Sequence, residues 1–154
     1  MIKIFIFLTL FFADFISKKI ISNLINLNEF FFVTFFLDIV HVHNFGISFG
    51  LFSGKISSGL LIFIGLIISV VILFMMKYAE NSTEKWGYLV ILIGAFSNIF
   101  DRMLNGFVID FIYLHYKDFY WPAFNFADIY ITIGVCIIAI QTLKGLKNKS
   151  SLTK

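Results

Sequence analysis

One cysteine, one proline and only 14% charged residues set narrow bounds on this 154-residue chain. The lone thiol, Cys136, excludes a disulfide framework and a cysteine-built zinc site, and is expected simply to pack. Soluble domains carry roughly 25% charge, well above the value here. Conversely, 60% of the residues are hydrophobic and 19% aromatic, with 22 Phe, more than one small core can hold. The excess must face lipid, and intrinsic disorder is excluded by the same figures. A net charge of +3 comes without a basic stripe or cluster, so nucleic acid is not an expected partner.

A membrane-crossing helix needs roughly 20 mostly apolar residues. Four stretches fit, at about residues 4–22, 56–76, 86–104 and 124–143, with Lys3, Lys77, Lys85, Lys144, Lys147, Lys149 and Lys154 gathered on one side. The opposite side has only Lys55 and Lys117 clear of the helices, so the bias in Lys and Arg puts both termini in the cytoplasm. The first stretch is followed by Asp14 and a lysine pair instead of a small-residue cleavage site, and reads as a retained helix.

The expected architecture is therefore a single integral membrane domain over residues 1–154, mainly α. Four transmembrane helices are joined on the outer side by segments 26–55 and 105–123. In the first of these, Phe30, Phe31, Phe32, Phe35 and Phe36 precede the alternation Val40-His41-Val42-His43, which argues for a small β-sheet on the outer membrane surface. The second holds Tyr113, His115, Tyr116, Tyr120 and Trp121, and reads as an interfacial aromatic loop.

Counting 1.5 Å per helical residue from the cytoplasmic ends puts Asp14 roughly 20 Å up, and Asp101 and Asp128 each roughly 24 Å. Asp110, nine residues beyond Asp101, can fold back to that level. Ionisable groups at membrane depth are costly and mark function by default. Two of the four have a structural explanation: Asp14 and Lys18 have ion-pair spacing, and Asp101 beside Arg102 and Asn98 reads as a polar clamp. No cation lies within four residues of Asp110 or Asp128.

Two carboxylates sharing a low-dielectric site cannot both ionise comfortably, so one keeps its proton near neutral pH. Such a pair is base and acid at once, suited to amide hydrolysis by an activated water without metal or cofactor. On residue chemistry alone, an ion- or proton-transporting subunit stands beside this reading. A metal-dependent lipid hydrolase built on His41, His43, Asp38 and Asp110 is a third reading, since His-x-His on a strand puts both rings on one face.

Four motifs in order then carry a resemblance: Asp14-Phe15-Ile16-Ser17-Lys18; Asn44-Phe45-Gly46-Ile47-Ser48-Phe49; Ser97-Asn98-Ile99-Phe100-Asp101-Arg102 with Gly106-Phe107-Val108-Ile109-Asp110-Phe111; and Phe124-Asn125-Phe126-Ala127-Asp128. The chain resembles the bacterial lipoprotein signal peptidases, the signal peptidase II family. Phe15, Ser97, Ile47 and Ser48 depart from that family's usual residues. The resemblance implies an aspartyl endopeptidase of the bacterial cytoplasmic (inner) membrane that removes signal peptides from prolipoproteins, cutting before a diacylglyceryl-modified cysteine. It implies Asp110 and Asp128 as the catalytic pair, supported by Asp14, Lys18, Asn44, Gly46, Asn98, Asp101, Arg102 and Asn125. It further implies an active site near the outer leaflet, contact with membrane lipid and inhibition by globomycin-type cyclic peptides; a monomer is expected.

Overall fold

Four helices and four strands make up the computed structural model, which describes residues 1–46 and 56–152, with side chains as far as Gly145. Helix α1 is Ile2–Leu24, strands β1 and β2 are Phe30–Thr34 and Leu37–Asn44, helices α2 and α3 are Ser58–Tyr78 and Ser82–Asn105, strands β3 and β4 are Val108–Tyr116 and Phe119–Tyr120, and helix α4 is Phe126–Leu152. The expectations placed on Ile47, Ser48, Phe49, Lys55 and Lys154 lie outside the described residues, as do the side chains of Lys147 and Lys149.

Among the described residues, three helices are long and apolar enough to cross a membrane: Ser58–Tyr78, Ser82–Asn105 and the Phe126–Gly145 part of α4. Helix α1 is long enough at 23 residues, but Asp14, Lys18 and Lys19 interrupt its apolar run. Polar caps fix the helix starts. The Ser57 hydroxyl accepts from Leu60 N at 3.3 Å at the head of α2, and Asn81 Oδ1 accepts from Glu84 N at 2.9 Å at the head of α3. Gly106, at φ 81°, ends α3 in the left-handed conformation that glycine adopts without strain.

Helices α3 and α4 pack closely because glycines face each other. A Cβ on Gly94 would collide with the Ala127 carbonyl oxygen, and one on Gly134 would meet Gly87 O at 2.6 Å. Small residues at such crossings let backbones approach where lipid offers no hydrophobic drive. The outer surfaces of α2 and α4 remain apolar, with Phe63, Val70 and Phe74 of α2 and Leu143 of α4 all exposed. Cys136 is exposed too, on α4, and not packed as expected.

The sheet is antiparallel in the order β1-β2-β3-β4. Segment 105–123 is therefore not the expected loop, because it contributes β3 and β4. Val108, Ile109, Asp110 and Phe111 are all buried in succession, so β3 lacks the alternation that advertises a strand with one wet face. Segment 26–55 does supply strands as expected, namely β1 and β2, and Phe30, Phe31, Phe32 and Phe35 are exposed.

One irregularity in β2 matters for the site. Ile39 pairs with Ile112 but Val42 pairs with Asp110, so β2 spends three residues where β3 spends two. An extra residue reverses which face the following side chains occupy. Past this bulge Val42 and Asn44 share the face of Asp110. With unbroken alternation from Ile39, Asn44 would point the other way.

Candidate active site

Asn125 links the two unexplained carboxylates. It precedes α4 and forms a reciprocal cap with Asp128: Asp128 N donates to Asn125 Oδ1 at 3.0 Å, and Asn125 N donates to Asp128 Oδ2 at 3.2 Å. The Asn125 amide Nδ2 then donates to Asp110 Oδ1 at 2.7 Å. Asp110 is gripped from its other side by Asn44 Nδ2 at 2.9 Å, the diagonal cross-strand contact that the β2 bulge makes possible. Asp128 Oδ1 accepts from Asn98 Nδ2 at 2.9 Å. Each acid thus has two asparagine neighbours, with Asn125 common to both, and neutral amides orient a carboxyl without neutralising it.

Behind this layer sits a buried ion triad. Lys18 Nζ lies 2.6 Å from Asp14 and 3.0 Å from Asp101, with Asn98 Oδ1 at 3.1 Å. All three charged residues are no more than 3% exposed. Each acid of the triad also holds the backbone just ahead of a site carboxylate. Asp14 Oδ1 accepts from Ala127 N at 2.9 Å, and Asp101 Oδ2 accepts from Ile109 N at 3.4 Å. A single ammonium therefore ties together the residues preceding Asp128 and Asp110. The ion-pair spacing of Asp14 and Lys18 is realised, but Asp101 pairs with Lys18 and not with Arg102, because successive helical residues do not face one another.

Arg102 instead reaches across to the turn after β2. Its Nη2 donates to Gly46 O at 2.6 Å and its Nη1 to Asn98 O at 3.3 Å, while Gly46 N donates to Asn44 Oδ1 at 2.9 Å. Asn44 is thereby locked with its amide nitrogen toward Asp110. Asp110 itself is buried, and that burial together with the neighbouring Asp128 charge pushes its carboxyl up to about 7.

Two apolar hollows converge on the pair. One, of about 220 Å³, lies between α2, α3 and α4, is lined by Ile64, Ile68, Ile91 and Ala95, and reaches both Asp110 and Asp128. The other, of about 460 Å³, is lined by Trp121, Phe124, Ile129 and Thr132 and also reaches Asp128. Ile131 borders both.

The profile of the signal peptidase (SPase) II family matches residues 6–144. The chain belongs to the signal peptidase II family. It is 44% identical over 130 residues to a lipoprotein signal peptidase of Buchnera aphidicola subsp. Schizaphis graminum, covering 82% of this chain and 83% of that one. It is 36% identical over 140 residues to a lipoprotein signal peptidase of Teredinibacter turnerae, covering 87% and 82%. A solved structure described as a bacterial membrane enzyme superposes with a TM-score of 0.80 at 32% identity, over 96% of this chain and 90% of the other.

Every residue singled out for the signal peptidase II site lies in the connected network: Asp110, Asp128, Asp14, Lys18, Asn44, Gly46, Asn98, Asp101, Arg102 and Asn125. The metal grouping does not assemble. Asp38 lies 3.3 Å from His115, Asp110 is taken by asparagines, and no three His, Cys, Asp or Glu side chains cluster among the described residues. Sequence reasoning missed Ala127 and Ile109, which act through backbone N–H groups, and the isoleucine lining, which looks like any other lipid-facing stretch.

Proposed function

We propose that the chain is an aspartyl endopeptidase that removes the signal peptides of prolipoproteins, cutting before the diacylglyceryl cysteine, with Asp110 and Asp128 as the catalytic pair. The observation that carries the assignment is the Asn125 bridge, which ties both carboxyls into one hydrogen-bonded unit beside a shared cavity. With the Asp110 carboxyl raised to about 7, the pair retains a shared proton up to neutral pH. The ionised member takes a proton from water as it attacks the scissile carbonyl. The protonated member donates a hydrogen bond to the carbonyl oxygen and then protonates the leaving amine. Asn44, Asn98 and Asn125 orient the acids, and the Asp14–Lys18–Asp101 triad sets the spacing of the elements that bear them.

The apolar hollows on either side of Asp128 suit a substrate with a hydrophobic signal segment and acyl chains. Helix α1 completes four transmembrane helices, its Asp14 and Lys18 being neutralised inside the bundle. The chain is a monomer in the bacterial cytoplasmic membrane, in contact with membrane lipid, with both termini cytoplasmic and the site near the outer leaflet, where a globomycin-type cyclic peptide would compete with substrate. An ion relay needs polar groups along the whole path, whereas α2 carries no carboxylate and the ionisable groups of the site gather at one end. Cleavage of a diacylglyceryl prolipoprotein by the wild type, and its loss in Asp110→Asn and Asp128→Asn with the protein still in the membrane, tests the assignment. Full activity in either variant overturns it.

A further inference from the structure

The bulged strand β2 carries a second pair of titratable rings that peptide hydrolysis does not use. His41 and His43 stand with their Nε2 atoms 3.1 Å apart. His41 Nδ1 lies 2.8 Å from the carbonyl oxygen of Ile25. A carbonyl only accepts, so His41 Nδ1 carries the hydrogen and the Nε2 lone pair of the neutral ring faces His43. The His43 ring lies flat against Phe107, with centroids 3.6 Å apart and planes 18° apart, and Phe45 meets its edge. Both imidazoles are therefore fixed in place, one with its tautomer set by a backbone carbonyl. That outer hydrogen bond is the usual support of a metal-binding histidine.

We propose that His41 and His43 form a two-histidine site for a divalent transition cation of the zinc and copper class, with water completing the coordination shell. Two nitrogens at about 2.0–2.1 Å from a tetrahedral zinc lie roughly 3.3 Å apart, close to the spacing of the two rings. When the cation binds, the hydrogen between the nitrogens leaves Nε2 of His43 and settles on its Nδ1, so both ligands remain neutral. No third His, Cys, Asp or Glu joins them among the described residues, and residues 47–55 and 153–154 contain none of these types. The site is thus open and of moderate affinity, unlike a catalytic zinc centre with three protein ligands. A bound cation would clamp the strand one residue before Asn44, which holds Asp110.

This proposal stands independently of the peptidase assignment, and so does its test. The full chain in detergent is titrated with Cu²⁺ and followed by electron paramagnetic resonance, which counts coordinating nitrogens. The expected result is one cation bound per chain through two imidazole nitrogens. In His43→Gln no more than one nitrogen remains and affinity falls on the order of 100-fold, while His115→Gln binds as the wild type does. An unchanged spectrum and affinity in His43→Gln, or no binding by the wild type at modest Cu²⁺ excess, overturns the proposal. Should His43→Gln fail to accumulate, histidine-selective nitrogen NMR of the wild type decides, since the chain has only three His. Zn²⁺ must move the Nε2 signals of His41 and His43 and leave His115 in place; the reverse pattern overturns it.

Discussion

Lys18 Nζ lies 3.1 Å from Asn98 Oδ1, and that contact decides which way the Asn98 amide faces. An ammonium can only donate, so the amide oxygen turns to Lys18 and the Nδ2 group turns to Asp128 Oδ1. A side chain from α1 thereby orients a donor on α3 toward a carboxylate on α4.

Lys18→Met is therefore expected to damage the protein twice. It leaves Asp14 and Asp101 buried without a counter-charge, a loss of about 3–5 kcal/mol, and it frees the Asn98 amide to flip. Thermal unfolding in detergent should register the first effect. The triple variant with Asp14→Asn and Asp101→Asn should recover most of the stability but not full cleavage.

Asn125 separates capping from positioning. Asn125→Ser keeps an oxygen that can cap α4 but cannot reach Asp110, so its melting temperature should stay near the wild type while cleavage falls by about 10–100-fold. Asn125→Ala should lose the same activity and, in addition, about 1 kcal/mol of stability. Equal activity in Ser and wild-type forms would show that the Asn125–Asp110 bond does not matter to turnover.

Gly94→Ala places a methyl group against the Ala127 carbonyl, one residue before Asp128. Backbone cannot swing aside as a side chain can, so a cost of about 1–3 kcal/mol is expected together with reduced cleavage. Gly59→Ala is the control, since nothing lies within 4 Å of the position its Cβ would take.

The pH dependence follows from Asp110, whose carboxyl is raised from 3.8 to about 7. Between these values the folded chain binds a proton that the unfolded chain has released, so stability should fall as pH rises through that window. Asp110→Asn should flatten this slope in detergent unfolding measurements. Above about 7 the proton held by the pair is lost, and kcat/KM should decline.

Much of this site was legible because its chemistry is unusual for its surroundings. An acid in an apolar run has to be explained, and Asp110 and Asp128 lacked local partners. What stayed hidden was the tertiary wiring. Nothing local to Asp101 announces that its partner is Lys18, more than 80 residues away, when Arg102 is adjacent. Strand β3 escaped because burial on both faces erased its alternation. The apolar hollows escaped because isoleucine in a membrane helix signals lipid as readily as substrate.

The bulge in β2 makes chain length, and not only residue identity, a property that selection must guard. Between Ile39 and Asn44 the strand acts as a counter, and its parity decides whether the Asn44 amide points toward Asp110 or away from it. A one-residue deletion at Val40 or His41 would erase the bulge yet keep Asn44 beside Asp110, because four unbroken alternating steps from Ile39 reach the face that the five bulged steps reach now. Removing two residues there would instead leave three alternating steps and turn Asn44 away from Asp110.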